Sequence, residues 1–214
     1  MTTIDHDVPD SWQRIGGWLA AHTRQGPVRA AADAARLDAL EAELGLPLPA
    51  DLRAWWLLPG VTRGDWIPQA FAPVPLEESL DTRGVWLLVA EQEQEWREQQ
   101  EREGDGSGGA GRVEDRFLPE FLPIASDPGG DGLFVDLRPG GTHGAVFRWD
   151  HESWVLDVPQ WGSVAAMLRD VAHALEAGAP VLLGHAALGG AEEPRTAAVD
   201  GEGALAWRSA AAEG

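Results

Sequence analysis

Phe121-Leu122-Pro123-Ile124-Ala125, Leu133-Phe134-Val135-Asp136-Leu137 and Ala145-Val146-Phe147-Arg148-Trp149 are three short apolar runs. They are separated by Asp127-Pro128-Gly129-Gly130-Asp131-Gly132 and by a second break that contains Arg138-Pro139-Gly140-Gly141. Short runs rich in Val, Phe and Trp between Pro/Gly/Asp clusters read as strands, and tight connections of this kind join antiparallel neighbours rather than parallel ones. The stretch predicts an antiparallel meander centred on residues 121–149.

Helical signals flank it. After the meander, Ser163 is an N-cap followed by Val164, Met167, Leu168, Val171 and Leu175 on one face, with Gly178 as the closing glycine. Before it, Val85, Leu88, Val89 and Trp96 fall on one helical stripe opposite Glu91, Glu93, Glu95, Glu98 and Glu101, which predicts an amphipathic helix with a solvated acidic face. That helix runs into a glycine-rich stretch, residues 104–111, whose composition is that of a flexible loop. Prolines at 68, 73 and 75 suit residues 66–76 to an extended edge segment.

Three further helices are expected at the N-terminus. The first is capped by Ser11 and carries Trp12, Ile15 and Leu19 to about Thr23. The second carries Leu37, Leu40 and Leu44 and ends at Gly45. The third starts after Pro49 with Leu52, Trp55 and Trp56. In the tail, residues 196–199 and 204–207 around Asp200-Gly201 suggest a small hairpin. The expected class is α+β, an antiparallel sheet packed by N-terminal, middle and C-terminal helices. Residues 1–10 form a tail, 11–178 one domain and 179–214 a C-terminal extension.

Composition narrows the chemistry. The 214 residues suffice for a sizeable core, and with no cysteine and no lysine the chain has no thiolate nucleophile, zinc knuckle, Schiff-base amine or phosphate-loop lysine. A formal charge of −19 opposes phosphate backbones and anionic membrane surfaces, and no basic patch offsets it. Residues 1–9 lack the apolar run of a signal peptide, and no stretch approaches a membrane span. A cytoplasmic protein that needs no cofactor or metal and binds neither nucleic acid nor membrane is expected.

Several stretches invite a catalytic or metal reading and fail on chemical grounds. Asp105-Gly106-Ser107-Gly108-Gly109 resembles a serine-protease signature with an extra glycine, in the segment least able to hold a nucleophile rigidly. Asp127 and Asp131 have the spacing of a fragmentary calcium loop, but Pro and Gly occupy the intervening ligand positions. His143, Asp150, His151 and Glu152 flank one strand, near Asp136 of another. Histidines at opposite tips of a strand are too far apart to share a metal. Trp66 and Trp154 are the tryptophans least explained by packing, which makes them candidate partner anchors. Between Glu77 and Glu120 there are thirteen acidic and five basic residues, so charge concentrates around one helix and its loop.

The segment Leu40-Glu41-Ala42-Glu43-Leu44-Gly45-Leu46-Pro47-Leu48-Pro49-Ala50-Asp51-Leu52, with Trp55-Trp56 and Gly60, resembles the opening of the SUKH superfamily, the Smi/Knr cell-wall-regulator-like domain. The strand block from Phe121 to Trp149 and the Trp161-to-Leu168 segment are similar to that superfamily's centre and closing element. The resemblance implies a helix-packed antiparallel sheet serving as a binding module. Many bacterial members resemble immunity proteins that neutralise a toxin, and fungal relatives resemble hubs of cell-wall regulation.

The leading expectation is therefore a non-enzymatic immunity protein that occludes a basic toxin domain, of nuclease type for example. The alternative is an intracellular scaffold linked to cell-wall or polysaccharide metabolism. Trp66, Glu91, Glu95, Glu98, Asp127, Asp131 and Trp154 are the candidate partner-binding residues.

Overall fold

The computed structural model describes residues 7–24, 26–100, 116–152, 159–183 and 193–209, with the side chains of 93–100, 182 and 193 left aside. The chain runs α1 (Asp7–His22), α2 (Ala34–Leu44), α3 (Ala50–Leu57), β1 (Ala72–Pro73), α4 (Leu76–Gln100), β2 (Phe121–Ser126), β3 (Gly132–Asp136), β4 (Val146–Trp149), α5 (Val164–Ala177), β5 (Val181–Leu183), β6 (Glu193–Val199) and β7 (Leu205–Ser209).

The meander forms as expected: β1-β2-β3-β4 is an antiparallel sheet, with Leu122 opposite Val135 and Phe134 opposite Phe147. β1 is the short edge strand that the prolines of the 66–76 segment predict. A register shift between Pro123 and Ala125 accommodates a proline that has no N–H to donate. Along the strands, side chains alternate between two apolar clusters. Leu122, Leu133, Val135 and Val146 join the large core made with α1, α3 and α5, whereas Phe121, Phe134, Phe147 and Trp149 face a smaller aromatic cluster with Phe117. Trp86, Leu87 and Ala90 of α4 pack against that second cluster. The sheet is therefore buried on both faces, between a helical layer and α4, and this is why its strands read as nearly continuous apolar runs.

Local signals set most helix ends. Asp33 accepts from the Ala35 N–H and Ser163 from the Ala166 N–H, while Gly45 and Gly178 close their helices in the left-handed conformation. α1 differs from expectation. It begins four residues before the predicted cap, and Ser11 is a buried residue within it, on the face shared by Val8 and Ile15. Asp7 and Asp10 suit its first turn, and Pro9 lies where no intrahelical N–H is required.

The C-terminal extension builds a second antiparallel sheet, β5-β6-β7, in which the predicted hairpin is joined by a third strand. Val181 and Leu183 enter the main core, and Ala197, Leu205 and Trp207 pack on it. The Trp207 indole N–H donates to the Trp66 carbonyl at 3.1 Å. The Arg24 N–H donates to the Gly203 carbonyl, which ties the hairpin turn to the end of α1.

Candidate partner-binding surface

α4 is held to the sheet by polar contacts as well as by aromatic packing. The Ser79 hydroxyl donates to the Pro123 carbonyl, and the Arg83 guanidinium donates twice to the Pro119 carbonyl. Trp86 meets Trp149 edge-on, with ring centroids 5.9 Å apart. These contacts set the rotation of the helix and correct the expected stripe. Val85 and Leu88 are 58% and 60% exposed, because Trp86, Leu87 and Ala90 supply the buried face instead. The six residues from Val85 to Ala90 are all apolar, so periodicity alone leaves the phase open; the aromatic cluster selects the face carrying the largest ring.

The outer face of α4 is therefore mixed. Exposed Val85 and Leu88 lie between exposed Asp81 and Glu91, at three- and four-residue spacing along the helix. Glu91 is exposed as predicted. Glu95 and Glu98 belong to the same helix, but their side chains lie outside the described ones. The glycine-rich stretch 104–111 and Trp154 lie outside the described residues altogether.

Trp66 is not a surface anchor. It is 1% exposed, packed between Trp12, tilted against it, and Trp55, edge-on to it, at centroid distances of 5.6 and 6.1 Å, with its indole N–H donated to the Thr62 carbonyl. The proline-rich segment places it in the core because the C-terminal sheet, whose Trp207 bonds to its carbonyl, closes over it.

Asp127 and Asp131 do share a strand turn, yet both carboxylates are engaged within the molecule. Asp127 Oδ1 accepts from the N–H groups of Gly130 and Asp131, each at 2.8 Å. Asp131 is buried and accepts from the Arg148 guanidinium and from His151, whose Nδ1 lies 2.8 Å from Oδ1. Burial pushes the Asp131 carboxyl up, but hydrogen bonds from His151 and Arg148 outweigh it and hold its pKa below the usual carboxylate range. The Asp131 hydrogen bond raises the pKa of His151 above its ordinary value. The turn is a braced structural corner, in which Asp131 is buried and paired while Asp127 is partly exposed and uses Oδ1 to hold the turn.

Asp136, predicted near the same histidines, instead makes a buried bidentate pair with Arg138, whose guanidinium lies 5.1 Å from the Phe121 ring centroid. Arg29 is a second buried arginine. It is buried over Trp55 and donates to the Trp55 and Trp56 carbonyls at the end of α3, where a cation complements the helix dipole, and burial lowers its pKa to about 10. No periodic or motif signal marks it, since it lies in an irregular segment whose path is set by its bridge to residues 61–62.

Among the described residues no helix is long and apolar enough to cross a membrane. A search of curated proteins finds no match for the chain. The comparison with protein families matches residues 31–169, a span from just before α2 into α5 that takes in the whole meander and α4. With the opening motif, the strand block and the start of the closing helix inside that match and folded as the resemblance implies, the chain belongs to the SMI1 / KNR4 family (SUKH-1).

Proposed function

We propose that this protein is a non-enzymatic binding module, a cytoplasmic immunity protein that neutralises a basic bacterial toxin domain by covering it with the outer face of α4. The observation that carries this reading is the exposure of Val85 and Leu88 on a helix fringed by Asp81 and Glu91. An apolar centre within an acidic rim suits a basic protein surface, since opposite potentials steer the encounter and desolvated aliphatic contacts hold it. Inhibition by coverage needs no reacting group. The carboxylates of Asp127, Asp131 and Asp136 are occupied by backbone N–H groups, arginine and histidine of the chain itself.

The test pairs the protein with the product of the neighbouring gene. Association rates are measured at several salt concentrations for the parent, for Glu91→Gln/Glu95→Gln/Glu98→Gln and for Val85→Ser/Leu88→Ser. Screening over a Debye length of about 8 Å at physiological ionic strength should slow association of the parent. The triple variant should show a flatter salt slope, and the double variant a faster dissociation. Salt slopes and dissociation rates equal to the parent's would exclude α4 as the contact surface. Capture of several unrelated cell-envelope proteins in place of one toxin would favour the scaffold alternative.

A further inference from the structure

Gly84 lies inside α4, where glycine is the least favourable residue after proline. A glycine within a helix is explained when a neighbour comes too close to leave room for a Cβ. Gly84 is instead exposed, and a Cβ built on it meets nothing within 4 Å among the described residues. The packing of the described chain makes no use of its small size.

Its surroundings form a pattern. Asp81, Gly84, Val85 and Leu88 are all exposed, and offsets of three, four and seven residues are those of the four-residue hole into which a facing helix inserts one side chain. The missing side chain at 84 deepens the hole, and Val85 and Leu88 line it with aliphatic surface. The Arg83 guanidinium is directed to the Pro119 carbonyl, so the charge beside the hole is the carboxylate of Asp81. Glu91 follows about 15 Å along the same stripe.

We propose that Gly84 marks the crossing point of one helix of the protein partner, an amphipathic helix with Arg or Lys flanking an aliphatic stripe. The inference rests on the α4 reading and names the element that α4 receives. Helices pack with axes about 8–10 Å apart, a separation set by the side chains at the contact, so a glycine at the crossing allows the closest approach and brings Val85 and Leu88 under the partner. Asp81 and Glu91, towards the two ends of the stripe, complement basic flanks. A second copy of this chain suits the stripe less, because it would bring the same carboxylates against one another.

The test measures binding of the neighbouring gene product to the full chain and to Gly84→Ala, Gly84→Leu, Gly17→Ala and Val85→Ser/Leu88→Ser. Gly17 is the control, an exposed glycine of α1 whose built Cβ also meets nothing within 4 Å. Both alanine variants should raise the Tm of the free protein by about 2–4 °C, since alanine is the better helix former and has room at each position. Affinity should fall about tenfold in Gly84→Ala and about a hundredfold or more in Gly84→Leu, and should stay at the parent's value in Gly17→Ala. A variant that is more stable when free and weaker in binding does not owe its loss to misfolding. Hydrogen exchange of the gene product in the complex should slow along one helix with basic flanks. Parent-like affinity in Gly84→Ala beside a weakened Val85→Ser/Leu88→Ser would overturn the crossing helix and leave the α4 reading standing. Parent-like binding by Val85→Ser/Leu88→Ser, or no binding by the parent, would overturn both. Slowed exchange along a strand or loop would overturn the assignment to a helix. A lower Tm in Gly84→Ala would show that the chain itself fills the hole, and dimerisation in sedimentation that Gly84→Leu abolishes would make the occupant a second copy; either result overturns the proposal.

Discussion

Asp51 Oδ2 accepts a hydrogen bond from the Ala165 N–H at 2.9 Å, so a residue in the first turn of α3 caps the first turn of α5 across 114 positions of sequence. Ser163 accepts from the adjacent Ala166 N–H, and the two oxygens together satisfy two of the unpaired donors at the start of α5. Asp51 is nearly fully buried, so its removal strands the Ala165 donor away from water. Asp51→Ala is expected to lower stability by about 2 kcal/mol, more than a surface cap loses. Urea denaturation checks this through a lower midpoint at unchanged slope.

The Asp136–Arg138 pair is almost completely buried, with a shortest separation of 2.8 Å. Truncating one partner leaves a charge in the interior, so Arg138→Met should destabilise by about 3 kcal/mol or more. Asp136→Leu/Arg138→Met, which removes both charges, should recover much of that loss. A double-mutant cycle in urea measures the coupling.

His151 and Asp131 tie stability to pH with opposite signs. The folded pKa of His151 is raised, so the stability from this contact is fully present below the unfolded imidazole's ordinary value of 6.5 and is lost as the pH rises through the folded value. The folded pKa of Asp131 is lowered, so its contribution is present above the unfolded value of 3.8 and is lost as the pH falls through the folded one. NMR titration of the imidazole should show its midpoint moving down in Asp131→Asn. An unmoved midpoint would mean that the contact does not persist in solution.

Gly132 is buried at the start of β3, and a Cβ built there would lie 2.6 Å from Cε2 of Phe134. Phe134 cannot swing away freely, since Phe117 and Trp149 pack around it at centroid distances of 5.2 and 6.5 Å. Gly132→Ala should therefore destabilise by about 1–3 kcal/mol. Thermal unfolding followed through tryptophan fluorescence reads the loss, and an unchanged Tm would show that the aromatic cluster yields.

What the sequence by itself determined are the features that depend on neighbours along the chain. The Ser163 and Gly178 boundaries of α5, the Gly45 cap, the three-strand meander with its Pro/Gly/Asp turns and the Asp200-Gly201 hairpin all follow from backbone conformations and hydrogen bonds within a few residues. The exposure of Glu91 was legible in the same way, because a charged position on a long helix has no reason to enter the core. Only the tertiary structure decided which face of the apolar run 85–90 turns inward, where Trp66 lies and what Asp131 binds. A run of consecutive apolar residues carries no phase of its own, so α4 takes the rotation that places Trp86 on Trp149 and leaves Val85 and Leu88 outside. Trp66 is buried by a hairpin some 140 residues further on, and the partners of Asp131 arrive from β4 and the turn after it. Arg29 and Asp51 act likewise on helix ends that local sequence cannot reach. The candidate surface is the remainder left after these long-range contacts have claimed their side chains, so it could be recognised only when the packing was in place.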